Sequence, residues 1–245
     1  MKLKECERID AVPGTNFSII QNTRKFAYGI DAILLSEFAR ARGVLVDLGT
    51  GTAIIPIRIR ARQKLGQIYG VEIQEEVADM ARRSLELNKI EDIEIISGDL
   101  KDLPQHFGKH TVDTITSNPP YMVEDGLLNP DESFAISRHE VKCNIFDIGE
   151  VAGYLLRPLG RIFLIHRPDR LVDIFHSLRS NGIEPKRIRF VEPRLGAVPN
   201  LVLIEGVKGG RPELRYEKTL RVYNEDGSYT DEIERIYNRS CKNDR

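Results

Sequence analysis

The segment Ser117-Asn118-Pro119-Pro120-Tyr121 places an amide, two prolines and an aromatic ring next to one another. It follows the strand-like residues 112–116, and the prolines stop that strand because each lacks an N–H group and has a fixed φ. The amide of Asn118 is then presented at the carboxyl end of a sheet, with one acceptor oxygen and two donor hydrogens. Acceptor oxygens beside an aromatic face suit a planar ligand that carries an amino group. The alternative is a proline turn after an edge strand, with Tyr121 packed on the core.

The residues Gly49-Thr50-Gly51-Thr52-Ala53 form a second candidate site, between the strand-like residues 44–48 and a helix that starts at Ile54. A strand, a glycine turn and a helix in this order let the backbone approach a ligand closely. The pattern lacks the Gly-x-Gly-x-x-Gly phosphate fingerprint of dinucleotide folds and the Lys-Ser/Thr pair of a P-loop. The sequence therefore predicts close approach of a ligand without a phosphate-binding loop.

Two acidic residues also follow predicted strands. Glu72 ends residues 67–72, and an acid about 20 residues past a glycine turn receives the ribose hydroxyls in nucleoside-binding α/β folds. We expect this role for Glu72, because one carboxylate accepts two hydroxyl protons at once. Asp99 follows residues 93–96, where we expect a hydrogen bond to an adenine amino group. The alternatives are an exposed strand-end acid for Glu72 and a helix N-cap for Asp99.

The elements that position these residues alternate between strand and helix from residue 32 to about residue 207. The first predicted helix spans residues 32–42, with Asp31 as its N-cap and Gly43 as its C′ residue. Such alternation predicts a mostly parallel sheet with helices on both faces. Ligands of these sheets bind at the carboxyl ends of the strands. Five features are therefore expected to meet at one edge: Asp47, the glycine loop, Glu72, Asp99 and Asn118.

Smaller elements flank this core. Residues 7–21 predict a hairpin, residues 186–191 and 200–207 an antiparallel pair, and Asp226-Gly227 a tight turn before a short final helix. We predict one domain over residues 1–245, with an N-terminal hairpin (1–30), a catalytic core (31–208) and a C-terminal extension (209–245).

The composition is that of a globular protein, with 41% hydrophobic and 30% charged residues. Apolar runs stay shorter than the roughly 18 residues of a membrane span, and the start has no signal-peptide apolar region. The three cysteines, Cys6, Cys143 and Cys241, lie far apart and fit reduced cytosolic thiols rather than a disulfide framework or a zinc site. We expect a cytoplasmic protein with no metal, no membrane contact and no obligate protein partner.

Basic residues are concentrated between Arg157 and Arg215, where twelve basic minus six acidic residues give a charge of +6, against −1 for the whole chain. A local excess of base is the electrostatic footprint of a polyanion. Within it, Arg187 and Arg189 share one face of a predicted strand, and we expect both to point outward and meet phosphates beside Lys186. The alternative is that these arginines only solubilise a sheet edge.

Asp47-Leu48-Gly49-Thr50-Gly51-Thr52, Glu72, Asp99 and Asn118-Pro119-Pro120-Tyr121 resemble the motifs of class I S-adenosylmethionine-dependent methyltransferases that modify exocyclic or amide nitrogens. Nearly the whole chain resembles the bacterial tRNA-Val adenine-N6 methyltransferases. Further matching stretches are Tyr28-Gly29-Ile30-Asp31-Ala32-Ile33-Leu34-Leu35, Ser137-Arg138-His139-Glu140, His166-Arg167-Pro168, Glu184-Pro185-Lys186-Arg187 and Lys208-Gly209-Gly210. Ala53 departs from the family's usual third glycine, which costs little if its φ is negative.

This resemblance implies a doubly wound, mostly parallel seven-stranded sheet of the Rossmann-like class I methyltransferase type, with an antiparallel and helical C-terminal extension. It implies S-adenosyl-L-methionine as cofactor and a tRNA substrate, methylated at N6 of the adenosine 3′ of the anticodon. The implied catalytic residues are Asn118, Pro119, Pro120 and Tyr121. The implied cofactor-binding residues are Tyr28, Asp47, Gly49, Thr50, Gly51, Glu72, Ile73, Asp99, Leu100 and Asn118. We also predict RNA contacts for Arg138, His139, Lys186, Arg187 and Arg189, with a structural hydrogen bond as the alternative for His139.

Three other functions stay open. Release-factor glutamine methyltransferases resemble this motif set, although they carry a substantial helical domain before the glycine loop, where this chain has a hairpin and one helix. Guanine-N2 ribosomal RNA methyltransferases resemble it with Phe more often than Tyr. A non-catalytic binding module that kept the fold is the third alternative, and the intact Asn-Pro-Pro-Tyr segment disfavours it.

Overall fold

The computed structural model describes residues 3–24, 27–121 and 144–238. Its strands are β1 (Glu7–Ala11), β2 (Ser18–Asn22), β3 (Leu45–Leu48), β4 (Ile68–Glu72), β5 (Ile93–Ser97), β6 (Val112–Ser117), β7 (Leu156–His166), β8 (Ile183–Glu192), β9 (Leu201–Lys208), β10 (Arg215–Tyr216) and β11 (Leu220–Arg221). Its α-helices are α1 (Ile30–Phe38), α2 (Ile54–Arg62), α3 (Glu75–Leu87), α4 (Leu103–His106), α5 (Ile145–Leu155), α6 (Leu171–Ser180) and α7 (Asp231–Asn238). Short 3₁₀ helices precede α4 and α6.

Strands β3 to β9 form the main sheet, in the order β8-β9-β7-β6-β3-β4-β5. All neighbours pair in parallel except β9, which is antiparallel to both β7 and β8. The predicted fold class is confirmed, and two two-residue strands of the extension, β10 and β11, widen the sheet beyond the predicted seven strands. Both strands pair with β8 in parallel, whereas the extension was predicted to be antiparallel. Among its described residues, the antiparallel pairing is the bridge between Tyr223 and Tyr229.

The sheet is buried on both faces, which is why its central strands are apolar at nearly every position. Consecutive residues of β3 join different hydrophobic clusters, because successive side chains of a strand point to opposite faces. Leu45 packs with residues of α1, α2 and α7, whereas Val46 packs with residues of α5 and α6. The carboxyl edge of the sheet is thus held between two rigid layers of helices.

The hairpin and the final helix pack onto this core. Val12 and Ile19 of the hairpin lie in the same buried cluster as Ile233 and Ile236 of α7. Asn88, directly after α3, also binds the backbone of Ser18, accepting from its N–H at 2.8 Å and donating to its carbonyl at 2.6 Å. The hairpin and the final helix therefore share one hydrophobic cluster with the core.

Helix α1 differs from its prediction at both ends. Gly29 is the N-cap, and Asp31 lies in the first turn of the helix. The helix ends at Phe38 rather than Arg42, because the hydroxyl of Thr114 donates to Arg42 O and accepts from Arg42 N–H, which draws this segment onto β6. Gly43 is required for another reason: a Cβ there would lie 2.0 Å from Oδ2 of Asp113.

Candidate active site

The register of the sheet brings the predicted motifs together. Leu48 pairs with both Val71 and Ser117, so the residues that follow β3, β4 and β6 leave the sheet side by side. These residues are the glycine loop after Leu48, Ile73 after Glu72, and Asn118 after Ser117. The hydroxyl of Ser117 donates to Leu48 O at 2.9 Å, which ties the two loops together at their base.

The glycine loop turns through left-handed backbone conformations. Gly49 has φ +71°, Gly51 has φ +57°, and Ala53 at the start of α2 has φ +68°. The amides of Gly49 and Thr50 both donate to Val71 O, which holds the loop over the end of β4. Ala53 does not meet the condition under which it would cost little, a negative φ, because the tight turn into α2 requires a left-handed residue at this position, and an alanine there is strained.

Glu72 is buried with 6% of its surface exposed, and its carboxylate is fixed by backbone donors. Oε2 accepts from Gly51 N and Oε1 accepts from Gln74 N, both at 2.9 Å. A carboxylate offers about four acceptor positions. These two backbone bonds set the orientation of the Glu72 carboxylate.

Asp47 is fully buried beneath the glycine loop. Oδ1 accepts from the Thr116 hydroxyl at 2.6 Å, and burial raises the pKa of Asp47 to about 7. Its side chain does not line the cavity described below. Among the described residues, its contacts are those of a group that braces β3 against β6 rather than one that touches a ligand.

Asp99 caps the 3₁₀ helix that follows it, accepting from Lys101 N at 3.0 Å, and it also lines the cavity. Both roles that the sequence left open for Asp99 are therefore compatible with its position. Leu100 and Ile73 also line the cavity and supply apolar surface.

Asn118 and Tyr121 form one hydrogen-bonded unit with Asp31. The Tyr121 hydroxyl lies 2.7 Å from Asn118 Oδ1 and 3.0 Å from Asp31 Oδ2, and Asn118 Nδ2 donates to the same Oδ2 at 3.2 Å. Burial, followed by the charge of Asp31, raises the pKa of Tyr121 well above its usual value, so its hydroxyl stays a donor.

The ring of Tyr121 also packs edge-on against His166, with 5.2 Å between ring centroids. Nδ1 of His166 accepts from Arg167 N at 2.8 Å, which leaves the proton of a neutral imidazole on Nε2. Burial lowers the pKa of His166, so the ring next to Tyr121 is uncharged at neutral pH.

A cavity of about 440 Å³ opens at this edge of the sheet. Every predicted catalytic and cofactor-binding residue lines it except Asp47: Tyr28, Gly49, Thr50, Gly51, Glu72, Ile73, Asp99, Leu100, Asn118, Pro119, Pro120 and Tyr121. Its volume lies within the range of small-molecule sites.

S-Adenosylmethionine fits these residues by the chemistry of its parts. A Cβ added to Gly49 or Gly98 would meet nothing within 4 Å, so both glycines leave room for a ligand against the backbone. Apolar walls, a buried carboxylate and a second acid suit the purine ring, the ribose hydroxyls and the amino groups of a nucleoside.

The arginines predicted to meet phosphates face inward, which corrects that prediction. Arg187 stacks over the Phe38 ring at 3.7 Å and pairs with Glu205 at 2.6 Å and Glu217 at 2.8 Å. Arg189 binds both carboxylate oxygens of Glu232. Arg187 and Arg189 share one face of β8, as predicted. That face is covered by α1 and the C-terminal extension, and the alternation of residues along the strand does not reveal this covering.

The other residues predicted to bind RNA are placed as follows. Lys186 donates to Arg211 O at 3.0 Å and is largely covered. Arg138 and His139 lie outside the described residues. Within the described ranges, no helix is long and apolar enough to cross a membrane, and no three His, Cys, Asp or Glu side chains form a group that would hold a metal ion.

Comparison with known proteins agrees with this geometry. The Methyltransferase small domain family matches residues 26–129. A protein of Tolumonas auensis named tRNA1(Val) (adenine(37)-N6)-methyltransferase is 28% identical over 222 residues, covering 89% of this chain and 90% of that protein. Residues 26–129 of this chain are therefore similar to a methyltransferase small domain. A Porphyromonas gingivalis protein of the same name is 33% identical over 167 residues, covering 64% of this methyltransferase and 65% of that protein. These relatives confirm the resemblance predicted from the motifs.

Solved structures give the same fold for this methyltransferase. A predicted O-methyltransferase from Agrobacterium tumefaciens superimposes with a TM-score of 0.69 at 23% identity, covering 86% of this chain and 97% of that one. At this identity the likeness concerns the fold alone.

Sequence reasoning missed three residues of the site. Asp31 was assigned only to a helix N-cap, and no role was given to His166 or Gln74. One signal for Asp31 was available, since it is a carboxylate in the first turn of an otherwise apolar helix, within the matching stretch that begins at Tyr28. His166 also lies in a matching stretch, His166-Arg167-Pro168, but that stretch does not reveal its contact with Tyr121, which depends on the register of β7.

Proposed function

We propose that this methyltransferase transfers a methyl group from S-adenosylmethionine to the exocyclic N6 amine of an adenosine in tRNA, at the nucleotide 3′ of the anticodon in a valine tRNA. One observation carries the proposal: the Asn118–Tyr121 segment lines the same cavity as the glycine loop and Glu72. The names of the curated relatives support the substrate. A tRNA substrate also supports a cytoplasmic location.

The methyl donor would be held by residues at the carboxyl edge of the sheet. Glu72 accepts the two ribose hydroxyls, Asp99 accepts from the adenine amino group, and Tyr28, Ile73 and Leu100 supply the apolar walls. Gly49, Thr50 and Gly51 let the backbone come close to the rest of the molecule. When bound, S-adenosylmethionine supplies an electrophilic methyl group on a sulfonium.

The acceptor amine would be activated by hydrogen bonding. The lone pair of an adenine amino group is delocalised into the ring, which makes the amine a poor nucleophile. Asn118 Oδ1 and the carbonyl of Pro119 accept its two N–H groups, which draws the nitrogen towards tetrahedral geometry and exposes the lone pair. The same oxygens stabilise the positive charge that develops on nitrogen as the new carbon–nitrogen bond forms, and one proton of the amine then leaves to water. Positioning supplies much of the acceleration.

Tyr121 would form a stacking surface for the target base, which must leave its neighbours in the anticodon loop to enter the cavity. In the structure the Tyr121 hydroxyl occupies Asn118 Oδ1. Entry of the base brings a substrate N–H to the same oxygen, where it can take the place of the phenol.

The tRNA backbone would meet the loop of residues 193–200, between β8 and β9. His166 pairs with Val202, which puts this loop at the same sheet edge as the cavity. Arg194, Leu195 and Val198 are exposed there, and Arg194 forms no ion pair with any described residue. An exposed cation suits a phosphate, and exposed apolar side chains suit a base face.

The experiment that tests this function offers the enzyme three substrates with labelled S-adenosylmethionine: bulk tRNA, ribosomal RNA and a release factor. Mass spectrometry of digested products should find N6-methyladenosine in tRNA, next to the valine anticodon. Methylguanosine in ribosomal RNA, or methylglutamine in the release factor, would assign the enzyme to the corresponding rival activity. These alternative substrates are included because the lone pair of an amide nitrogen is delocalised, as it is in the adenine amine, and needs the same activation.

A further inference from the structure

Asp31 is the residue on which the polar groups of the amine site converge. Its Oδ2 accepts from Asn118 Nδ2 at 3.2 Å and from the Tyr121 hydroxyl at 3.0 Å. Its Oδ1 accepts from Ala32 N at 3.0 Å, which fixes the carboxylate against the first turn of α1. One side chain from α1 is thus tied to two side chains of the Asn-Pro-Pro-Tyr segment, 87 and 90 residues away in sequence.

The contact with Asn118 decides which end of its amide faces the cavity. A carboxylate only accepts hydrogen bonds, so the amide must turn Nδ2 towards Asp31. Oδ1 is then the end of the amide that can accept, from the Tyr121 hydroxyl in the structure and from an amine when a substrate binds. Without Asp31, a half-turn of the amide would put a donor where the reaction needs an acceptor.

The contact with Tyr121 gives the phenol proton a second acceptor. The hydroxyl carries one proton and lies within hydrogen-bond distance of both Asn118 Oδ1 and Asp31 Oδ2. When a substrate N–H displaces the phenol from Oδ1, the proton can pair with Oδ2. Donation from Nδ2 to a carboxylate also polarises the amide, which makes Oδ1 a stronger acceptor.

We propose that Asp31 is a positioning residue for methyl transfer, which holds the acceptor oxygen of Asn118 towards the substrate amine and receives the Tyr121 hydroxyl when that amine binds. The proposal rests on the proposed function of the site and goes beyond it by assigning a role to a residue of α1. Asp31 acts through Asn118 and Tyr121, so its loss should reduce turnover rather than the affinity for S-adenosylmethionine.

The kinetic test compares Asp31→Ala, Asp31→Asn and a control variant, Asp173→Ala. Asp173 is also a first-turn acid, in α6, and it does not line the cavity. Asp31→Ala should lower kcat about tenfold to hundredfold, the scale of a misplaced reacting group. Asp31→Asn should lose less, because its amide oxygen still accepts from Asn118. The affinity for S-adenosylmethionine, measured by calorimetry, should not change in any variant.

A double-mutant cycle shows whether Asp31 acts through Asn118. Asp31→Ala combined with Asn118→Ala should be no slower than Asn118→Ala alone. A multiplicative loss of kcat in the double variant, or an unchanged kcat in Asp31→Ala, would overturn the proposal.

An NMR measurement separates failure of this proposal from failure of the proposed function, since it needs no turnover. The side-chain amide resonances of Asn118, assigned by their absence in Asn118→Ala, should shift and exchange faster in Asp31→Ala than in Asp173→Ala. Unchanged resonances would overturn the role of Asp31, even if the wild-type enzyme methylates tRNA. If instead the wild type yields no product from tRNA, the proposed substrate is wrong. The NMR result still shows in that case whether Asp31 holds the amide of Asn118.

Discussion

The backbone amide of Gly51 donates a 2.9 Å hydrogen bond to Oε2 of Glu72. Two parts of the proposed cofactor site, which follow different strands, are therefore connected: the glycine loop orients the Glu72 carboxylate, and the carboxylate holds the loop. A ligand that binds Glu72 meets a group that is already oriented.

Replacing Glu72 should accordingly weaken cofactor binding. Glu72→Ala removes the acceptor of the ribose hydroxyls and leaves the Gly51 amide without its partner, at a cost of about 1–3 kcal/mol in binding free energy. Calorimetry with S-adenosylmethionine measures the loss. Glu94→Ala is the control, because this exposed acid on β5 does not line the cavity. Equal affinities for the two variants would remove Glu72 from the site.

Ala53 provides a prediction about stability. Its φ of +68° lies in the left-handed region, so Ala53→Gly should raise the free energy of unfolding by roughly 0.5–1 kcal/mol. Urea denaturation measures the change. Lys89→Gly, at φ +53° and outside the cavity, should give a similar gain without altering affinity for S-adenosylmethionine. A loss of stability in Ala53→Gly would show that packing of its buried methyl group outweighs the backbone strain.

Asp47 should make the stability of the protein depend on pH. Burial raises its pKa from 3.8 to about 7, so the folded protein keeps a proton that the unfolded chain has released between these values. Stability from this group is complete below about pH 4 and is lost as the pH rises to about 7. Between pH 5.5 and pH 8 the loss is about 2 kcal/mol.

Asp47→Asn isolates this effect, since its amide oxygen can still accept from Thr116 but the group cannot ionise. Urea denaturation at the two pH values should show a smaller pH dependence in the variant than in the wild type. Identical slopes in both proteins would mean that Asp47 does not titrate in this range.

The exposed loop of residues 193–200 predicts where tRNA docks. Arg194→Glu should weaken tRNA binding and reduce its log–log salt slope by roughly one unit, as expected for one lost phosphate contact. The matched control is Arg211→Glu, which follows β9 at the opposite edge of the sheet. Filter binding over a salt series measures both. Equal slopes for the two variants would exclude the 193–200 loop from the phosphate contacts.

Much of this architecture follows from local sequence. Strand β6, the glycine turn and α2 were predicted within two residues, because their boundaries are set by prolines, glycines and apolar runs. The convergence of Glu72, Asp99 and Asn118 at one edge followed from the rule that parallel strands end together.

Long-range contacts account for what the sequence did not reveal. The end of α1 depends on Thr114, 72 residues away from Arg42. The inward orientation of Arg187 depends on Phe38 and Glu217, which approach from α1 and the extension. The role proposed for Asp31 likewise depends on its contact with Asn118, which is 87 residues away in the chain.

The central claim is that Asn118 activates an adenine amine in the same cavity that holds the methyl donor. The most direct measurement is the yield of N6-methyladenosine in valine tRNA, by mass spectrometry, for the wild type and Asn118→Ala. We predict methylation next to the anticodon by the wild type. In Asn118→Ala the rate should fall about hundredfold or more, while affinity for S-adenosylmethionine is retained. Methylation of that adenosine by Asn118→Ala at the wild-type rate would contradict the account.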